Sequence, residues 1–190
     1  MSLILNCANK FQKYVGYNYT FILDCEISID VMFASQHFHH LAGLQHLTDI
    51  AQLNIKQNNN TATGIFKDIK RGKIKQSLIE SSSFYSKIYD RLSYFTKFDE
   101  VISSKLIVDF DYTKVPKSKI MSKYLLYRQY GDTYVMLGLK FDNRRQIFVP
   151  ETFIVESSDY YIKDQVSYNV KEVKCEKYSG KKNNNLTQSF

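Results

Sequence analysis

The sequence predicts an α+β fold in which N-terminal helices pack on a C-terminal antiparallel β-sheet. Three observations lead there. Apolar residues recur at helical spacing up to about Ile102, β-branched and aromatic residues dominate after it, and Gly131-Asp132 marks a turn between two strand-like runs. With 190 residues, 44% of them hydrophobic and 24% charged, the chain is long enough to bury a core. Residues 1–178 read as one domain, and the polar tail 179–190 is expected to be disordered.

Each element has its own signal. Ile4, Cys7, Ala8, Phe11, Tyr14 and Val15 share a helical face over residues 2–15, and Gly16 ends it. Runs 19–23 and 27–33 flank Asp24-Cys25-Glu26 as a hairpin. Ser35 suits the N-cap of a helix at about 36–54. Asn58-Asn59-Asn60 is a polar loop, after which Thr61 caps a short helix carrying Ile65, Phe66 and Ile69 that stops near Gly72. Residues 74–79 form another helical piece. Ser81-Ser82-Ser83 then precedes a longer helix with Tyr85, Ile88, Leu92, Phe95 and Ile102 on one side. Strands are expected at 105–110, 124–130, 133–141 and 146–149. Pro150 interrupts the ladder before 152–155 resumes it, and 166–175 is the last strand.

Charge points to a polyanion. The net charge is +7, with residues 67–91 at +4 and 123–150 at +3, against −1 for residues 1–66. Lys70, Arg71, Lys73 and Lys123 head these two basic segments, and together the segments would attract phosphate if the fold joined them. A lysine run is also an ordinary solvated helix face, so both readings stand. No run of eighteen apolar residues occurs, and the start lacks a basic leader with an apolar core, so neither a membrane span nor a signal peptide is expected. Cys7, Cys25 and Cys175 have no metal-site spacing, which suits a reducing cytoplasm.

All four histidines lie between His37 and His46. Imidazole exchanges protons near neutrality, with an ordinary pKa of about 6.5. On one continuous helix, His40, Leu44, Leu47 and Ala51 form an inward stripe, His39 and His46 a second, solvated pair, and His37 a surface residue. Gly43 beside that stripe implies close approach by a backbone or a ligand, or else a simple packing notch.

Taken in order, 19–23, Phe33, Phe38-His39-His40-Leu41-Ala42-Gly43-Leu44, Lys123-Tyr124-Leu125-Leu126-Tyr127 and Pro150-Glu151-Thr152-Phe153 resemble one family. It is the phage-associated branch of the barnase–EndoU–colicin–RelE-like (BECR) ribonucleases, whose marks are an aromatic–x–His–Leu–x–Gly–Leu helix and a late Pro–x–Ser–Phe strand. The likeness covers most of residues 2–175, with Thr152 standing where the pattern has serine. It implies a BECR-like fold and an endoribonuclease needing neither metal nor cofactor, whose 2′-hydroxyl attack leaves a 2′,3′-cyclic phosphate. It also implies that the family histidine falls on His40.

That chemistry needs a base, an acid and donors for the extra charge on phosphorus. His40 could be base or acid. Thr152 and Tyr127 could donate to a nonbridging oxygen, and Arg128, Lys70, Arg71, Lys73 and Lys123 could hold phosphates. The expected partner is RNA, with an antitoxin or immunity protein if the chain is a phage or mobile-element toxin or defence effector. Two other readings stay open: a non-catalytic RNA-binding module, and a phage structural or inhibitory protein that binds another protein.

Overall fold

The computed structural model describes residues 2–55, 60–116 and 118–178. Asn58, Asn59 and the tail 179–190 lie outside these residues, and so does the disorder expected of that tail. Helix α1 (Leu3–Gln12) starts where the Ser2 hydroxyl accepts from the Leu5 amide, and it buries Ile4, Cys7, Ala8 and Phe11 at helical spacing. Phe11 meets the rings of Phe33, Phe38, Phe66, Phe95 and Phe98 at centroid distances of 5.7–6.3 Å. Burying one such ring contributes about 1.5–3 kcal/mol, so Phe11 ties most of the helical layer to one point.

Strands β1 (Tyr17–Leu23) and β2 (Ser28–Met32) form the expected antiparallel hairpin. Helices α2 (His37–Leu41), α3 (Ala62–Lys70), α4 (Gln76–Glu80), α5 (Ser86–Tyr94) and α6 (Phe98–Ile102) follow. They lead into β3 (Leu106–Asp109), β4 (Tyr124–Tyr130), β5 (Thr133–Asp142), β6 (Ile147–Glu156) and β7 (Val166–Lys177). The α+β class holds, but the sheet is neither purely C-terminal nor purely antiparallel. Its order is β1-β2-β6-β5-β4-β3-β7, closed on itself, with β2 and β6 parallel where Val31 faces Phe148. Closure follows from the length of β7, which pairs with β3 through residues 166–169 and with β1 through residues 170–177.

Period-2 alternation divides the sheet's two faces. Leu126, Leu137, Leu139 and Phe153 join the helices in the main core. Leu125, Met136 and Ile154 face a second cluster with Val108, Phe110 and Val115, edged by Tyr161 and Ile162.

Three expectations need correction. The histidine helix stops at Leu41, because Gly43 takes φ +77° and turns the chain left-handed. Only short 3₁₀ turns, Leu44–His46 and Ala51–Leu53, follow it. A Cβ at Gly43 would lie 2.9 Å from Ile88 Cγ2, so the glycine is a packing notch. Ser35 does not cap α2; its hydroxyl donates to Thr63 Oγ1 at 3.3 Å. Finally, Pro150 does not split β6. The pairing slips so that Gly138 faces Thr152 and Leu139 faces Pro150, leaving Glu151 as the extra residue of a β-bulge.

Candidate functional site

Helix α2 packs on β6, and a cleft of about 530 Å³ opens where both meet the first turn of α3 and the end of β5. Its walls include Gln36, His37 and His40 from α2 and its entry, Thr61 and Thr63 from α3, and Lys140, Pro150 and Glu151 from the sheet. The bulge brings Glu151 here, and Thr61 holds the start of α3 in place by accepting from the Gly64 amide at 3.0 Å.

Glu151 is held on two sides. Ser122 Oγ donates to one carboxylate oxygen at 2.8 Å, and Lys140 Nζ lies 3.6 Å from the other. His40 presents an exposed ring to the same cleft, which corrects its expected place in the core stripe. The atoms packed behind the ring desolvate its charged form and, with Arg91, hold its pKa below the ordinary value, while Glu151 pulls the other way. A neutral imidazole at neutral pH is the consequence.

The neighbouring histidines also depart from expectation. His39 is buried, not solvated, and its Nε2 donates to the Leu53 carbonyl at 2.8 Å. His37 is buried, not a surface residue. Its Nδ1 accepts from the Ala34 amide at 3.1 Å, and desolvation, helped by Arg145, pushes its pKa down to about 4. His46 is exposed, as its place on the helix pattern suggested.

Among the other candidate residues, the structure brings none into the cleft's lining. Thr152 is next to Glu151, but its methyl group lies against Gly138. Tyr127 packs at the edge of the second cluster. Arg128 donates to the carbonyls of Glu100 and Ser103, both at 3.0 Å, and so closes the end of α6. Lys123 pairs with Asp109 beside a separate cavity. Lys70, the last residue of α3, bonds Asn9, and Lys73, just beyond it, lies 3.6 Å from Asp68, both at the end of α3 opposite the cleft. Arg71 is the C-cap of that same helix end.

Sequence reasoning passed over Glu151 and placed Lys140 only among the basic residues around Lys123, Arg128, Arg144 and Arg145. The family pattern leaves the residue between proline and the hydroxyl unspecified, so Glu151 looked like a spacer. Its available signal was Pro150 itself, which disturbs a ladder and invites a bulge. Lys140 carried the charge of its segment but nothing that singled it out from the other cations there. Among the described residues, no group of three or more His, Cys, Asp or Glu is placed to hold a metal ion, and no helix is long and apolar enough to cross a membrane.

An imidazole, a carboxylate and an ammonium group around one cleft can move a proton and hold an anion. The chain matches the family described as phage-Barnase-EndoU-ColicinE5/D-RelE like nuclease 4 over residues 3–190, and it belongs to that family. No curated protein and no solved structure matches it.

Proposed function

We propose that this protein is an endoribonuclease that cuts RNA without a metal ion, leaving a 2′,3′-cyclic phosphate and a 5′-hydroxyl. The observation that supports it most is the meeting of His40, Glu151 and Lys140 in one cleft. Neutral His40 takes the proton from the ribose 2′-hydroxyl as its oxygen attacks phosphorus. Glu151 stabilises the imidazolium that results. Lys140 offsets the charge gathering on a nonbridging oxygen, and the 5′-oxygen leaves with a proton from solvent. Lys70, Arg71 and Lys73 would meet RNA only outside the cleft, along the far end of α3. Thr152 enters this scheme as a neighbour that steadies the bulge. The cellular role that fits is toxin or defence effector of a phage or mobile element, in the cytoplasm.

The test is incubation with end-labelled RNA in EDTA, followed by end-group analysis. Cyclic phosphate ends are expected, and His40→Ala should slow cleavage by about 10²–10⁴-fold. Ends carrying a 5′-phosphate, or full activity in a normally folded His40→Ala protein, would overturn the reading.

A further inference from the structure

Behind His40 lies a group of cations that the scheme above does not use. Lys87 and Arg91 are four residues apart on α5 and share one face of it. Like charges so placed repel each other. Among the described residues neither has a carboxylate partner within ion-pair distance. Asp49, just beyond His46, is already held by the Ser82 hydroxyl and the Ser83 amide.

Arg91 is the anchor. A Cβ at Gly43 would lie 3.2 Å from its Cδ and 3.3 Å from its Nη1, so the guanidinium sits in the glycine notch. Its only hydrogen bond among the described residues runs from Nη1 to the His40 carbonyl at 3.3 Å. A guanidinium has five N–H donors, so most of these remain free for a ligand. His46 stands one 3₁₀ turn after the notch, exposed, and its pKa is lowered by desolvation first and then by Arg91, His40 and Lys87. A half-buried guanidinium, unneutralised and backed by a second cation, is suited to the two nonbridging oxygens of a phosphodiester.

We propose that Arg91, Lys87 and His46 form a subsite for the RNA phosphodiester adjoining the one at His40, so that the strand leaves the cleft across the Gly43 notch. This rests on the ribonuclease reading for the strand's position, and its test is built on binding so that the two can fail separately. The probe is a fluorescent 2′-O-methyl RNA hexamer, which lacks the attacking hydroxyl, followed by anisotropy over a range of NaCl concentrations.

Lys87→Gln and Arg91→Gln should each weaken Kd by about three- to tenfold and reduce the log–log salt slope by about 0.7, the share of one phosphate on a single strand. Lys174→Gln on β7 should leave both unchanged. One neutral methylphosphonate linkage, placed beside the position that is cut, should weaken the parent to the level of the variants and add nothing to their loss. Arg91→Gln could disturb the notch, so melting curves accompany it, and exposed Lys87 provides the independent variant. If both variants keep the parent's Kd and slope, or the parent binds no RNA at low salt, the subsite does not exist. If the parent shows the expected losses yet never cuts unmodified RNA, the subsite stands and the ribonuclease reading falls.

Discussion

Gly138→Ala is the perturbation that most directly joins packing to the site. A Cβ built on Gly138 would lie 2.2 Å from Ser122 Oγ, 2.8 Å from Thr152 Cγ2 and 3.1 Å from Ser122 Cβ. The hydroxyl can rotate away, but only by giving up its 2.8 Å bond to Glu151. The threonine methyl cannot move without shifting β6. Overpacking of this kind costs about 1–3 kcal/mol. For a chain of this size, that lowers Tm by about 2–12 °C. Ser122→Ala alone removes one hydrogen bond to a part-exposed carboxylate, at a cost of about 1 kcal/mol. The double variant should lose less than the sum, by about 0.5 kcal/mol or more, because without Oγ the new methyl gains room. Thermal melts of the four proteins, followed by circular dichroism, measure this cycle. An additive cycle, or a Gly138→Ala protein that melts like the parent, would refute the claim that Gly138 leaves room for the Ser122–Glu151 contact.

Three further outcomes follow from the histidines and the bulge. His37 binds its proton near pH 4 when folded and near 6.5 when unfolded, so the unfolded chain takes up more protons between these values and stability falls as pH drops through that window. The loss approaches about 3 kcal/mol at the acid end, and His37→Asn, which keeps an acceptor for the Ala34 amide, should flatten the plot of Tm against pH. His39→Ala should destabilise the fold by about 1–3 kcal/mol by leaving the Leu53 carbonyl unpaired and a void beside it, read as a lower urea midpoint. Glu151→Gln removes the charge that raises the His40 pKa, so the acid limb of the pH–rate profile should move to lower pH while the maximal rate drops; a limb that stays in place would detach His40 from that titration.

The strands were legible because their signals are local. Residues 124–130 and 133–142 alternate between two faces around Gly131-Asp132, and both buried faces exist. The helical layer was legible only in part. Reading one periodic pattern across Gly43 put His40 inside and His39 outside, whereas the left-handed glycine breaks the phase and reverses them. The family pattern pointed to His40 without needing a continuous helix, and His40 lines the cleft. Glu151 was hidden because a bulge redirects side chains without leaving a periodic trace, and Lys140 was read only as one charge of a basic segment. The closing of the sheet was hidden too, since one long strand with two partners looks like any other strand.

That double pairing of β7 affects how the molecule comes into being. Residues 17–23 wait for residues 170–177, so β1 completes its hydrogen bonds only once β7 has been made. Contacts so distant in sequence make for slow folding. During translation, β1 and β3 each present an open edge until β7 has emerged from the ribosome. Termination anywhere before residue 166 would leave both edges bare, so a shortened product is a candidate for aggregation.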